Sequence, residues 1–423
     1  MPSSNLQVPR HLSRFMPTSS ERGLVLLTGA RQTGKTTIAH ARYSDLRYVN
    51  LDAPENREAV RATPTASWAT TFGSAVFDEA QKEPILFDKI KYAYDGGTVD
   101  FSLLLGSSQI LLLKRIRESL AGRIRMREIW PLSMSELAAG PGAAEAEPPL
   151  LDRLLGPESP DQVLRNTPAA LTDQAEASSR AAEAHLLAFG GMPALGPLDE
   201  DRRWEWLRDY ERSYLERDLG DLARLDDLGP FKTFQRLAAL RSGSLLNYSA
   251  LAREAGLAVD TARRYLEYLR LSYQVFLLQP YTNNLTSAVV KTPKLYWTDV
   301  GLLRSLTRRR GEADGALFET MVAAETIKWL RTARRDAECR FYRTRSGMEV
   351  DLLIENEHGL LGIEIKSAAR IGGSDLRGLR QLAEAAGKAW RGGLVVYRGA
   401  AVRRIDDRLW AVPSRRLFTA ASA

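Results

Sequence analysis

A glycine-bearing turn after a short apolar run is the strongest chemical signal in the sequence. Residues 24–27 read Leu-Val-Leu-Leu, and Gly29, Gly34, Lys35 and Thr36 follow in the spacing G-x-x-x-x-G-K-[ST]. The apolar run predicts a buried strand, and the residues from 38 onward are compatible with a helix. Glycine lets backbone N–H groups curl around phosphate oxygens, and the helix start adds a favourable dipole. The pattern therefore predicts a phosphate-binding loop.

We expect this loop to hold ATP together with Mg²⁺. Lys35 would reach the β- and γ-phosphates, and the Thr36 hydroxyl would ligate Mg²⁺, which prefers oxygen ligands. The residues predicted to contact the nucleotide are Gly29, Ala30, Arg31, Gln32, Thr33, Gly34, Lys35, Thr36 and Thr37. The alternative is a glycine-rich turn that matches the pattern by chance.

A second apolar run, Val76-Phe77, ends in two carboxylates. Asp78 is predicted to hold Mg²⁺ through water, and Glu79 to orient and polarise the attacking water. Phosphoryl transfer needs both an in-line nucleophile and neutralisation of the phosphate charge. The alternatives for these two acids are a cap at the end of a strand or a solvated turn.

Further side chains could contact the γ-phosphate. Ser107 or Ser108 follows the apolar run 103–105, and Ser108 is included among the catalytic candidates; a simple β-turn is the alternative. Arg123 could stabilise the γ-phosphate charge in cis or from a neighbouring subunit, which would require a homo-oligomer. Arg217 is its rival, and either arginine could instead form an ordinary surface salt bridge.

A third group of charged residues lies near the carboxyl end of the chain. Asp351 ends one strand-like segment, and Glu364 and Lys366 alternate along the next, so their side chains face one side. Together with Glu319 on the preceding helix, they could form a second metal site suited to Mg²⁺-dependent phosphodiester cleavage. The alternative is a strand edge whose charged residues face solvent.

Composition restricts the class of protein. The chain has 423 residues, a net charge of +7 and a single cysteine, which predicts several domains in a reducing cytoplasm. The net positive charge weakly favours polyanionic binding partners. No apolar stretch approaches the roughly 18 residues of a membrane span, so no membrane association is expected.

The order of apolar and amphipathic segments predicts an α/β protein with four parts. These are a parallel-sheet P-loop core over 1–135, a helical lid with an Ala/Pro-rich, loosely packed insertion over 136–228, a winged helix-turn-helix over 229–310, and an α/β domain over 311–423. In the third part, Ser249 and Asp260 are predicted to cap the two helices, and strands 273–280 and 294–298 could form the wing. Arg263, Arg264 and Arg270 could meet phosphates, although packing alone is the alternative.

The motifs resemble a large family of prokaryotic ATP-binding proteins. Its members join an AAA+ ATPase module to a carboxyl-terminal domain of unknown function with a restriction-endonuclease-like PD-(D/E)xK core. The segments that carry the resemblance are GARQTGKTT at 29–37, VFDEAQ at 76–81, LLLGSS at 103–108, SLAGR at 119–123, FGGMP at 189–193, YLERDL at 214–219, LYWTDVGLL at 295–303 and EVDLLI…GIEIK at 349–366. The chain departs from the family at Met192, where tyrosine is usual, and in the stretch after Ala138.

The resemblance implies ATP–Mg²⁺ binding by Gly29, Gly34, Lys35 and Thr36, and hydrolysis through Asp78 and Glu79. The leading hypothesis is a Mg²⁺-dependent ATPase acting on nucleic acid, with DNA favoured, in repair, recombination or defence. The alternative is an ATP-dependent switch or assembly protein whose nuclease-like fold is an inactive scaffold. A third hypothesis is a DNA-binding regulator that barely hydrolyses ATP.

Overall fold

The computed structural model describes residues 7–106, 120–168, 172–222, 228–282, 291–345 and 347–420, without the side chains of 214–222. The α-helices within those ranges are α1 Lys35–Arg42, α2 Pro54–Ala62, α3 Trp68–Thr71, α4 Ile85–Asp95, α5 Met134–Ala139, α6 Leu150–Leu154, α7 Pro160–Arg165, α8 Asp173–Phe189, α9 Glu200–Leu222, α10 Gly229–Ala239, α11 Tyr248–Ala255, α12 Val259–Leu271, α13 Val300–Thr307, α14 Gly315–Thr332, α15 Arg377–Ala386 and α16 Ser414–Leu417. The strands are β1 Gly23–Thr28, β2 Arg47–Asn50, β3 Ala75–Asp78, β4 Phe101–Gly106, β5 Ile124–Glu128, β6 Ser244–Leu245, β7 Val275–Pro280, β8 Lys294–Trp297, β9 Ala337–Arg343, β10 Glu349–Asn356, β11 Gly359–Lys366, β12 Trp390–Tyr397, β13 Arg403–Asp406 and β14 Leu409–Pro413.

The amino-terminal part forms a five-stranded parallel sheet in the order β2-β3-β4-β1-β5. The interior strand β1 is buried along its whole length, as its continuous apolar sequence predicted. Burial of each leucine there contributes about 2 kcal/mol to stability. Parallel pairing places the loops after β1 and β3 at the same edge of the sheet. The apolar pattern before Pro131 predicts a possible fifth strand at 127–130, and the observed strand β5 begins three residues earlier, at Ile124.

A nine-stranded mixed sheet contains the remaining strands, in the order β13-β14-β12-β11-β10-β9-β7-β8-β6. Strand β7 pairs with β9 through Gln279 opposite Arg340 and Pro280 opposite Phe341. The strands predicted to form a wing therefore belong to the carboxyl-terminal sheet. The predicted domain boundary at residue 310 does not separate two sheets. Strand β7, which precedes this boundary, is hydrogen-bonded to strand β9, which follows it.

Helices cover both faces of this sheet. Leu361 and Ile363 of β11 lie in the same apolar cluster as residues of α14, whereas Leu360 packs with Leu379 of α15 on the other face. Helix α14 also contacts β5, so it joins the two sheets. No helix within the described ranges is long and apolar enough to cross a membrane.

The segment 138–182 differs from the prediction of a loosely packed insertion. Helices α6 and α7 bury Leu150, Leu154 and Val163 completely in the main apolar cluster. The backbone N–H of Leu150 donates to the carbonyl of Thr419 at 2.8 Å. Its apolar residues pack against the distant carboxyl-terminal segment, so no complete apolar face was visible locally.

Helices α11 and α12 are joined by a turn at Gly256, whose φ of +67° is the left-handed conformation that favours glycine. Both predicted caps were wrong by two positions. Asn247 caps α11 by accepting from the N–H of Ala250 at 2.9 Å, and Ala258 precedes α12 without a side-chain cap. The predicted capping residues Ser249 and Asp260 lie inside the two helices.

Candidate functional site

The loop between β1 and α1 has the backbone that the glycine spacing predicted. At Gly29 an added Cβ would lie 2.2 Å from the carbonyl oxygen of Ile129, so only glycine fits this close approach. Gly34 has φ +98° and immediately precedes α1. The loop therefore presents its N–H groups at the start of a helix, where anions are favoured.

Lys35 lies over this loop with only 8% of its surface exposed. Its Nζ donates to the carbonyl oxygens of Gly29 and Ala30, both at 2.8 Å. Phosphate oxygens are stronger acceptors for an ammonium group than neutral carbonyls. The side chain is thus positioned to exchange these carbonyl contacts for contacts with a bound phosphate.

Thr36 and Asp78 meet at the mouth of the loop. The Thr36 hydroxyl donates to Oδ2 of Asp78 at 2.8 Å, and the Tyr48 hydroxyl donates to the same oxygen at 2.5 Å. Burial and the hydrogen bond to Asp78 raise the pKa of Tyr48 well above its usual value, so it remains a donor. A hydroxyl and a carboxylate are hard oxygen donors, and this donor set fits Mg²⁺.

Glu79 follows Asp78 in a left-handed conformation with φ +53°, which is uncommon for a residue with a side chain. Its N–H donates to Oδ1 of Asp78 at 2.8 Å. Its carboxylate accepts a hydrogen bond from Nε2 of Gln81. The conformation therefore fixes Glu79 next to the Asp78 carboxylate at the loop edge of the sheet.

Arg10 braces the loop from the amino-terminal segment, a role that the sequence analysis missed. Its guanidinium donates to the carbonyl of Thr33 at 2.7 Å and to that of Trp130 at 2.5 Å. It also pairs with the buried Glu136 at 3.2 Å. Arg10 and His11 lower the pKa of Glu136 despite complete burial of this carboxylate.

Two tyrosines from distant segments also reach this edge. The Tyr273 hydroxyl shares a 2.5 Å hydrogen bond with the Thr28 hydroxyl, and the Tyr273 ring packs edge-on against Trp130. The Tyr210 hydroxyl of α9 donates to the carbonyl of Arg31 at 3.4 Å. The helical segments after residue 200 therefore contact the phosphate-binding loop directly.

Arg123 is not brought to this site. It precedes β5, where Ile124 pairs with Leu24 at the start of β1, so it lies at the opposite edge of the sheet. Its Nε donates to Oδ1 of Asp95 at 2.7 Å. This position and the pairing with Asp95 do not support a role for Arg123 in cis, because the side chain lies far along the sheet from the loop after β1. Ser107, Ser108 and the Arg217 side chain lie outside the described residues.

The carboxyl-terminal acids surround a lysine that the sequence analysis did not single out. Lys294 Nζ lies 2.6 Å from Glu349 Oε1, 3.1 Å from Glu319 Oε1 and 3.8 Å from Asp351 Oδ1. Glu319 also accepts from the Tyr296 hydroxyl at 2.6 Å. The Lys294 ammonium thus supplies the positive charge at the centre of these carboxylates.

The predicted partners Glu364 and Lys366 pair with each other on β11. Lys366 Nζ lies 2.7 Å from Glu364 Oε1, and Asp351 Oδ2 accepts from the N–H of Ile365 at 2.8 Å. Burial, with Glu364 and Glu319 nearby, raises the pKa of Asp351 to about 8. Within the described ranges, no group of three or more Asp, Glu, His or Cys side chains is arranged to hold a metal ion.

Three family models match successive parts of the chain. Residues 21–138 match a model described as an AAA domain. Residues 181–313 and 314–417 match two models described as domains of unknown function, DUF8612 and DUF4143. These two descriptions carry no activity, so the nuclease-like assignment of 311–423 gains no support from them.

The chain is also similar to whole proteins. It is 28% identical over 413 residues to the uncharacterized proteins Rv2008c of Mycobacterium tuberculosis and Mb2031c of Mycobacterium bovis, covering 94% of this chain and 82% of each relative. A Walker-type ATPase of Pyrococcus abyssi aligns over 72% of this chain and 96% of its own, with 15% identity and a TM-score of 0.44. A signal-transduction ATPase with a tetratricopeptide repeat sensor from Pyrococcus horikoshii aligns over 78% of this chain and 48% of its own, with 11% identity and a TM-score of 0.28.

The domain match and the loop geometry agree on the amino-terminal part. A five-stranded parallel sheet carries the G-x-x-x-x-G-K-[ST] loop after β1, and the Asp78 carboxylate ends β3, which lies two positions away in the sheet. Residues 21–138 therefore form a P-loop domain that is similar to AAA domains.

Proposed function

We propose that the protein binds ATP with Mg²⁺ and hydrolyses it. The observation that carries this proposal is the 2.8 Å contact between the Thr36 hydroxyl and Asp78 at the mouth of the loop. Thr36 and Asp78 would hold Mg²⁺, which neutralises charge on the phosphates when it is bound. The loop N–H groups and Lys35 would hold the phosphate oxygens.

Glu79 is proposed as the base. A water oxygen attacks the γ-phosphorus while the bond to the β–γ bridging oxygen breaks, and ADP leaves with that electron pair. The water proton passes to the Glu79 carboxylate, and release of phosphate and of this proton restores the enzyme. Gln81 orients the carboxylate through its hydrogen bond to Glu79.

The experiment is to measure phosphate release from ATP by the full chain, with Mg²⁺ and with EDTA. Turnover should require Mg²⁺ and should be lost in Lys35→Ala, because this variant lacks the loop cation. Lys91→Ala removes the same charge from α4 and is the matched control. Equal turnover by Lys35→Ala and Lys91→Ala would contradict the proposal.

As a second candidate function, we propose an ATP-dependent switch or assembly protein whose nuclease-like domain is an inactive scaffold. It is favoured by Lys294, whose ammonium lies within 3.1 Å of two carboxylates where the nuclease hypothesis required a metal ion. Incubation with DNA in Mg²⁺ and in Mn²⁺ should then give no cleavage. Cleavage that disappears in both Asp351→Ala and Lys366→Ala would instead establish the nuclease.

Action on DNA remains the first candidate for what ATP turnover drives. Arg263, Arg264 and Arg270 are exposed on α12, although Arg263 lies over the Tyr248 ring and Arg270 pairs with Glu267. If DNA is the partner, single- or double-stranded DNA should change ATP turnover, and binding should weaken steeply with salt. Turnover that DNA leaves unchanged would favour the switch.

A further inference from the structure

We propose that a pocket between α9, α10 and α13 binds a small polyphosphate anion. The cavity has a volume of about 400 Å³, a size typical of small-ligand sites. It shares no residue with the phosphate-binding loop, so it is a second anion site. The proposal does not depend on ATP hydrolysis at the loop.

Helices α9 and α10 each contribute two cationic side chains at i and i+4, which lie on the same face of a helix. Helix α13 contributes Arg304, and Arg308 follows directly after its last residue. The six residues are Arg208 and Arg212 of α9, Lys232 and Arg236 of α10, Arg304 of α13 and the adjoining Arg308. Arg310 adds a seventh cation, and Glu211 is the one carboxylate among the described lining residues. The lining is therefore strongly positive from three directions.

Most of these charges are not neutralised within the protein. Four of the cations have no ion pair with any described residue: Arg208, Arg212, Lys232 and Arg308. A guanidinium nitrogen of Arg236 lies 4.0 Å from Oε1 of Glu211. Like charges at i and i+4 of a helix repel each other, and two such pairs face one cavity together with the third pair, Arg304 and Arg308. A bound anion with several negative charges would offset this repulsion, because it would attract all three pairs of cations at once.

One wall of the pocket is formed by a buried arginine. Arg304 is only 3% exposed, and its guanidinium donates to the carbonyls of Leu187 at 3.0 Å and Gly311 at 2.5 Å. Its Nε is buried and has no hydrogen-bond partner among the described residues. The guanidinium groups of Arg304 and Arg310 lie 5.9 and 5.1 Å from the Trp204 ring centroid, within cation–π range.

The shape favours a compact polyphosphate over a nucleic-acid strand. The cations converge on one cavity from three helices, whereas a strand requires a groove that follows its backbone over several nucleotides. A chain of two or three phosphates places several negative charges within a few ångströms, which matches the closely spaced i, i+4 pairs. Trp204 is largely buried beneath the two arginines, so it offers little open surface for a base to stack on.

The test uses inorganic tripolyphosphate as the probe and the full chain carrying Lys35→Ala, which weakens anion binding at the loop. Isothermal titration calorimetry should show one binding event whose affinity falls as salt rises. Adding Arg208→Gln and Arg212→Gln should weaken this binding about tenfold or more, because two charged hydrogen-bond donors are lost. Both side chains are exposed, so the fold should be retained and circular dichroism should confirm this.

Arg202→Gln with Arg253→Gln is the matched control, since it removes two exposed arginines outside the pocket and should leave the affinity unchanged. The absence of tripolyphosphate binding in the Lys35→Ala chain would overturn the proposal. So would equal weakening by the control pair. A pocket variant that loses affinity for a DNA oligonucleotide but keeps its affinity for tripolyphosphate would identify a nucleic-acid surface and also overturn it.

Discussion

The hydroxyl of Thr36 lies 2.8 Å from Oδ2 of Asp78, although the two residues are 42 positions apart in the chain. This contact joins the first turn of α1 to the end of β3. It brings together a hydroxyl and a carboxylate, the kind of oxygen donors that the proposed Mg²⁺ site requires.

Asp78→Asn tests this pair. The change keeps the shape but removes the negative charge, so Mg²⁺-dependent ATP turnover should fall about 100-fold or more. Nucleotide binding in EDTA should be retained, because the loop and Lys35 are unchanged. Phosphate release and fluorescence binding with a labelled nucleotide measure the two effects. Asp52→Asn, at an exposed position, is the control, and unchanged turnover in Asp78→Asn would remove this residue from the metal site.

Arg10→Ala tests whether the contacts of Arg10 with Thr33 and Glu136 stabilise the loop. Removing one partner of a buried ion pair leaves Glu136 uncompensated, so the free energy of unfolding should fall by about 3 kcal/mol. Nucleotide affinity should fall as well, because the carbonyl of Thr33 loses its donor. Urea unfolding and nucleotide titration measure these changes. Arg22→Ala, at an exposed position, should change neither the stability nor the nucleotide affinity. An Arg10→Ala protein with native stability and affinity would show that the loop does not depend on the contacts of Arg10.

The position and backbone of the glycine-bearing loop could be predicted from the sequence because the residues that define it are local. Gly29, Gly34, Lys35 and Thr36 lie within eight residues, and Asp78 ends an apolar strand. The backbone at Gly29 and the Thr36–Asp78 contact both agree with that prediction. Parallel pairing of adjacent strands then places these residues at one edge of the sheet.

Arg10 and Lys294 could not be predicted in the same way. Arg10 contacts Glu136 from 126 positions away, and Lys294 reaches Glu349 from a strand that appeared to belong to a separate wing. Neither residue lies in a local pattern that marks its role. Arg123 shows the opposite error, because a suitable residue type in a suitable segment lies at the wrong edge of the sheet.

Lys294→Met tests the internal cation of the carboxyl-terminal cluster. Glu319 and Glu349 would lose their shared ammonium partner, so the free energy of unfolding at pH 7 should fall by about 3 kcal/mol or more. Urea unfolding measures the change. Lys291→Met removes an exposed lysine three residues earlier and should have little effect. Equal stability of the two variants would show that the carboxylates do not depend on Lys294.

The raised pKa of Asp351 predicts a pH dependence of stability. This carboxyl ionises near 3.8 in the unfolded chain and near 8 in the folded protein. Between these values the folded state keeps a proton that the unfolded state has lost, so this group lowers stability as pH rises. The slope is at most about 1.4 kcal/mol per pH unit.

Asp351→Asn should remove this contribution. The variant should gain stability relative to the native chain as pH increases from 5 to 8, measured by urea unfolding at each pH. The groups facing Asp351 are Lys294, Glu319, Glu349 and Glu364, and all remain in the variant. Asp336→Asn, at an exposed position, is the control. A constant difference in stability across this pH range would contradict the predicted shift.

The most direct test of ATP hydrolysis is to compare ATP binding and turnover in Glu79→Gln. The amide keeps the size of the side chain but cannot accept the water proton. Turnover should therefore fall about 10²- to 10⁴-fold while ATP affinity stays within a few-fold of the native value. Glu58→Gln, an exposed change on α2, should leave both unchanged. Native turnover by Glu79→Gln would contradict the account.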